Sequence, residues 1–291
     1  MIKRILEVGV AVNDIESAGE PFVELLGAGK GELFTVDQFN MNMRMFRVGN
    51  VEFELMQSVL RDGLIDKFIR KQGQGLHHIA FEVEDVIHAM HWFKTHDVEI
   101  IDDKVYEVYG IKAIFLHPKI FGGVLFEFIQ GNPKWVADRS LPDTLQAETE
   151  TNGIGAEGIV EVGILVNRLE ALTGTYHNVF MTEKPEIKDF HRLALRSSIL
   201  KTGNIALHLI ETLSEKNYMT DLIETKSSGL HHITLKVQNI EQSLKYLKDK
   251  SAHIIEDRHS PFWQDRLVFI DPKALCGIPV RLTEKIPDCL T

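Results

Sequence analysis

Two cysteines, Cys276 and Cys289, are all that a chain of 291 residues contains. They are too few for a disulfide framework, and a reducing compartment, the cytoplasm, is the expected location. Positive charge is also short: 32 Lys and Arg against 42 Asp and Glu leave a net charge of -10. That balance argues against nucleic acid or an anionic membrane surface as partner. No run reaches the roughly 18 apolar residues of a membrane span. The opening "MIKRILEVGV" leads straight into a strand pattern, so no signal peptide is expected. No Ser-His-Asp or Cys-His nucleophile arrangement stands out. The segment "GAGKGE" at 27–32 lacks the Walker spacing and reads as a helix-to-strand turn.

What the chain does have is itself, twice. Glu7 in "ILEVGVAVNDIES" matches Glu161 in "IVEVGILVNRLEA", and Glu54 in "VGNVEFELMQ" matches His208 in "TGNIALHLIE". His78 in "GLHHIAFEVEDV" matches His232 in "GLHHITLKVQNI", and Glu127 in "HPKIFGGVLFEF" matches Arg281 in "DPKALCGIPVRL". Every pair is separated by 154 positions, which marks a tandem duplication. The expected domains are 1–131 and 155–287. The stretch 132–154, rich in Pro, Asp, Thr and Gly, reads as a linker. A weaker repeat of 71–73 positions inside the first domain relates Glu7 to His78 and Glu54 to Glu127.

Each half-domain reads as a strand, a helix and further strands. "NDIESAGEPFVELLG" carries helical spacing with Asn13 or Asp14 as N-cap. Alternation then assigns faces, because successive strand side chains point to opposite sides. Val8, Val10 and Val12 oppose Glu7, while Val51, Phe53 and Leu55 oppose Glu54. Ile79, Phe81 and Val83 oppose His78, and Val124, Phe126 and Phe128 oppose Glu127. If the strands curl into a cup, the four polar side chains converge inside it. A solvated sheet face for Glu7 and Glu54 is the plainer alternative. His77 falls on the opposite face from His78, and His88, His91 and His96 fall on or after a helix and are expected to be exposed.

The order "EVGVAV…GNVEFELM…GLHHIAFEV…FLHPKIFGGVLFEF" resembles the vicinal oxygen chelate superfamily, which includes glyoxalase I, methylmalonyl-CoA epimerase, extradiol dioxygenases and drug-sequestering resistance proteins. The epimerase motifs are the most similar, through "GxxHHIxFEV" and "FLHPKxxGGVLxE". The resemblance implies an α+β fold of paired βαβββ modules forming two cup-shaped domains, with one divalent metal in a competent cup. It implies Glu7, Glu54, His78 and Glu127 as ligands, although the family usually has His at position 7. It places the epimerase's third-strand Glu, a proton-transfer base, near Met43, which carries no such group. Pairing between chains, as a homodimer, is also implied.

Domain 1 would gather three carboxylates and one imidazole, and the carboxylates repel one another unless partly protonated or bridged by a cation. Such a donor set suits Mn, Fe, Co, Zn or Mg. On this reading domain 1 is an isomerase or lyase of the glyoxalase or epimerase type, acting through a metal-stabilised enolate with Glu127 or Glu7 as base. Its substrate is a small carbonyl compound or acid, and a CoA thioester follows from the epimerase resemblance alone. Arg44, Arg47 and Lys104 are candidates to meet an anion. Domain 2 offers Glu161, His208, His232 and Arg281. Two His and one carboxylate are the ligand set of non-haem iron oxygenases, with Arg281 binding a substrate acid. Alternatively Arg281 pairs with Glu161 and closes the cup without metal. An iron dioxygenase working in domain 2 and a non-enzymatic small-molecule-binding protein are the rival functions.

Overall fold

A computed structural model describes residues 2–131, 153–219, 228–257, 260–263 and 265–291. Most of the expected linker, 132–152, lies outside the described residues. The first half begins with β1 (Ile2–Ala11), α1 (Ile15–Glu24), β2 (Gly29–Val36), β3 (Met41–Val48) and β4 (Val51–Ser58). An additional helix, α2 (Leu64–Gln72), leads to β5 (Gly75–Val83), α3 (Val86–Thr95), β6 (Tyr106–Val108), β7 (Ile111–Leu116) and β8 (Leu125–Gln130). These eight strands form one curled sheet in the order β2-β3-β4-β1-β5-β8-β7-β6. Each βαβββ module supplies four neighbouring strands. The modules join where β1 runs antiparallel to β5, while β4 and β8 lie parallel to β1 and β5.

The second half repeats this plan with β9 (Ala156–Val166), α4 (Leu169–Phe180), β10 (Ile187–Phe190), β11 (Leu195–Thr202), β12 (Ile205–Thr212), β13 (Gly229–Val237), α5 (Ile240–Asp249), β14 (Ile254–Asp257), β15 (Leu267–Ile270) and β16 (Val280–Thr283). Its strand order, β10-β11-β12-β9-β13-β16-β15-β14, is the same permutation. The fold is therefore the α+β pair of cups that the family resemblance implied.

Helix starts follow local chemistry. Asp14 caps α1 by accepting from Ser17 N at 2.8 Å, and Asp85 caps α3 by accepting from Ile87 N and His88 N. The β-branched and aromatic residues on one parity of the strands are buried under these helices: Val8, Val10, Phe53, Ile79, Phe81, Phe126 and Phe128. That apolar face is continuous between the two halves and forms one core. Phe180 of α4 stacks on Phe121 at 5.6 Å, and the buried Tyr176 hydroxyl donates to Phe121 O at 3.0 Å. Two equivalent hairpin turns also cross between the halves. Asn50 N donates to Glu157 O, and Asn204 Oδ1 accepts from Ile5 N. With the convex faces joined in this way, the concave face of each sheet is left to hold its own polar set.

Candidate functional site

Cup 1 gathers the four residues that alternation placed on one face. Glu7, Glu54, His78 and Glu127 are buried, with exposures of 2, 6, 3 and 7%, and all four line one cavity of about 470 Å³. A solvated sheet face for Glu7 and Glu54 is thereby excluded. Register explains the convergence. β1 Gly9 pairs with both Glu54 and His78, and His78 stands beside Leu125 in β8, two residues from Glu127. Gly9 is essential to this geometry, since a Cβ there would come within 2.1 Å of the His78 ring. The ring lies flat across β1 in space that any other residue would fill. Gly163 stands in the same relation to His232, at 1.9 Å. Alternation gave no hint of this role, although "EVG" in both repeats carried the signal.

His78 Nε2 lies 3.2 Å from Glu127 Oε2 and 3.4 Å from Glu54 Oε2. It is buried and makes no hydrogen bond, so a proton there would point squarely at neither carboxylate. The spacing suits another arrangement. Donor atoms on a common ion, with bonds of about 2.1 Å at roughly tetrahedral or octahedral angles, stand about 3.0–3.4 Å apart. The donor set and its separations therefore fit a divalent ion. Among the described residues, no three His, Cys, Asp or Glu side chains are so placed that they would hold an ion without adjustment. Small rotations of the Glu54 and Glu127 side chains are what closure of such a site requires.

Electrostatics shows the tension in this cluster. Burial pushes the Glu54 carboxyl up to about 7, with Glu127 adding to the rise and His78 opposing it. Burial acts to lower His78 as well, yet the Glu127 and Glu54 carboxylates outweigh it and hold the imidazole above its ordinary value.

His77 corrects the sequence expectation. A β-bulge in β5 opposite Gly9 and Val10 places His77 as well as His78 on the cup side. His77 lines the cavity, and its Nδ1 lies 3.0 Å from His78 Nδ1. Burial, followed by the influence of His78, drives its pKa down to about 3, so it stays neutral. The second repeat copies the bulge and the contact, with His231 Nδ1 2.9 Å from His232 Nδ1. His88, His91 and His96 are exposed, as expected.

The basic residues also need correction. Arg44 points to the helix side and pairs with Glu16 of α1 at 2.8 Å, and Arg47 pairs with Glu52 at 3.1 Å. Only Lys104 of the three reaches the cavity rim, 3.8 Å from Asp102. The rim is otherwise apolar and aromatic. Phe39 packs on Tyr106 and Phe115, and the Tyr109 hydroxyl donates to Thr35 O across the gap between the sheet's two edges.

Cup 2 is built alike and filled differently. Glu161 lies 3.4 Å from both His208 Nδ1 and His232 Nε2, and it accepts from the Thr234 hydroxyl. Its carboxyl is held well below the ordinary range: burial opposes this, but His208, His232 and Arg281 outweigh burial. Arg281 does not close on Glu161 as expected. Its Nη2 is bonded to Asp265 at 2.9 Å, with the guanidinium 5.1 Å above the Trp263 ring. Phe262 stacks on His208 at 5.2 Å, and Trp263 stands edge-on to His232. Phe262 and Trp263 pack against these histidines and Asp265 holds Arg281, and none of the three was singled out in the sequence.

Comparison with known proteins agrees with this fold. Residues 7–115 match the family model described as Glyoxalase/Bleomycin resistance protein/Dioxygenase superfamily. The chain is 33% identical over 129 residues to the mitochondrial methylmalonyl-CoA epimerase of Homo sapiens, covering 44% of this chain and 73% of that one. It is 30% identical over 133 residues to the ethylmalonyl-CoA/methylmalonyl-CoA epimerase of Cereibacter sphaeroides, covering 45% and 99%. Both halves together superpose on a mutant of 4-hydroxymandelate synthase from Streptomyces coelicolor with a TM-score of 0.69, covering 97% and 92%. At 14% identity that likeness concerns the fold alone.

Proposed function

Since the chain belongs to the glyoxalase/bleomycin resistance protein/dioxygenase superfamily, we propose that cup 1 is a divalent-metal site that moves a proton on a carbon next to a carbonyl, as an isomerase or lyase does. One observation carries this reading. His78 Nε2, buried and without a hydrogen bond, stands 3.2 and 3.4 Å from two buried carboxylates at the floor of a cavity sized for a small molecule. Glu7, Glu54, His78 and Glu127 would hold the ion, which is Mn, Fe, Co, Zn or Mg by its donor set. When bound, the ion supplies Lewis acidity that polarises the substrate carbonyl.

The chain's own residues do the rest. Met43 lines the cavity and transfers no proton, so a carboxylate at the floor must take the α-proton and return it. Glu127 and Glu7 are the two candidates, through a carboxylate oxygen. The apolar wall excludes water while the enolate exists. The names of the epimerase relatives suggest a CoA thioester as one form of the carbonyl substrate. In the dioxygenase alternative, Phe262 covers one face of His208.

Elemental analysis of wild type, His78→Ala and His232→Ala tests the reading. About one equivalent of metal, lost only in His78→Ala, together with exchange of an α-proton into deuterated water, is the expected result. Metal lost only in His232→Ala transfers the chemistry to cup 2. Metal-free wild type, even after incubation with each candidate ion, overturns the proposal in favour of a binding protein.

A further inference from the structure

We propose that the substrate of cup 1 presents a neutral carbonyl carried on an apolar or aromatic group, with no carboxylate at its reacting end. This deepens the reading of cup 1 as the working site and rests on it. Charge is the first argument. Glu7, Glu54 and Glu127 bring three carboxyl groups to the cavity floor against a single imidazole. A divalent ion bound there would leave no surplus positive charge to attract an anion. Among the described residues lining the cavity, Lys104 is the one lysine or arginine, and it sits at the rim beside Asp102. Arg44 and Arg47 are engaged by Glu16 and Glu52. A substrate carboxylate reaching His78 would meet like charges in a site of low dielectric, with nothing to balance it.

The walls supply the second argument. Met41, Met43 and Met56 form one side, and Phe39, Tyr106 and Phe115 form the other. Unbranched, polarisable methionine side chains adapt to irregular apolar shapes and favour aromatic rings. Leu64 is 59% exposed at the entrance and extends the apolar surface outward. A flat apolar group would lie between methionines and aromatics with its carbonyl oxygen toward the cavity floor, where His78 Nε2 and the carboxylates would hold the ion.

The test compares two ligands of nearly equal shape, 1-phenyl-1,2-propanedione and phenylglyoxylate, which differ by an acetyl group in place of a carboxylate. Dissociation constants are measured by ligand-observed NMR on the metal-free protein and again after loading with Mn. The dione is expected to bind at least tenfold more tightly in both forms. In Leu64→Lys, which puts a positive charge at the entrance, phenylglyoxylate should gain severalfold relative to the dione. Phenylglyoxylate binding as tightly as the dione in wild type overturns the proposal, and so does a failure of both to bind. Failure to load Mn overturns the metal reading alone, since the charge preference is still read in the metal-free protein.

Discussion

Replacing Glu54 by Gln should change the pH dependence of stability in the metal-free protein. Burial raises this carboxyl from 4.5 to about 7. A carboxyl whose folded pKa lies above its unfolded value takes up its proton more readily in the folded state. Stability therefore falls as pH rises through that window. The separation from 4.5 to about 7 corresponds to about 3 kcal/mol as an upper limit, at about 1.4 kcal/mol for each pH unit. His78 contributes with the same sign. Its folded pKa lies above 6.5, so its stabilising charge is complete below 6.5 and is lost as pH rises through the folded value. Urea unfolding in the presence of a chelator, at pH 5, 6, 7 and 8, reads the sum. Wild type should lose a few kcal/mol between pH 5 and 8, and Glu54→Gln should flatten most of that loss and be the more stable protein at pH 8. Added divalent ion should restore wild type at pH 8, because a bound cation replaces the missing proton. Parallel pH profiles for wild type and Glu54→Gln would refute the electrostatic reasoning.

Gly9→Ala should abolish metal uptake and cost roughly 1–3 kcal/mol by forcing the His78 ring to move, as overpacked sites do; Gly163→Ala should cost as much with the metal content unchanged, and equal metal loss in both would refute the assignment to cup 1. For His78 Nε2 to hold an ion, its proton must sit on Nδ1 and be donated to His77 Nδ1. Calorimetric titration should show metal affinity about tenfold weaker in His77→Phe and largely recovered in His77→Asn, whose Oδ1 accepts from the same place. Phe262→Ala should destabilise the protein by about 3–5 kcal/mol in chemical denaturation, the usual cost of emptying a buried phenylalanine site; a loss under 1 kcal/mol would mean that cup 2 is not closed by this ring.

Alternation and the internal repeat made the polar floor of cup 1 legible, because a strand's period of two survives wherever the ladder is regular. The same rule turns Arg44, which opposes Met43, toward the helices, although its charge alone had suggested an anion contact. His77 was not. The bulge adds one residue to β5, so counting by twos from His78 places its neighbour on the wrong face. The partner of Arg281 was hidden for another reason. Asp265 falls in the repeat register of Ile111, so no matching charge in the first half pointed to it.

The divergence of the cups has a local cause that equal lengths conceal. Ile100 pairs with Leu116 and Ile254 with Ile270, so both intervening segments are the same length. In cup 1 the chain leaves the ladder at once. Residues 101–105 form the rim with Asp102 and Lys104, pairing resumes from Tyr106, and Tyr109 and Gly110 turn tightly with positive φ values of 46 and 86°. In cup 2 the ladder continues to Asp257 opposite Leu267. The sequence between these two residues has no glycine, and its Pro261 has no N–H to give a ladder. Phe262 and Trp263 lie against His208 and His232, which covers apolar ring surface. Stretches of equal length thus line a cavity entrance in one cup and set aromatic rings against the histidines in the other.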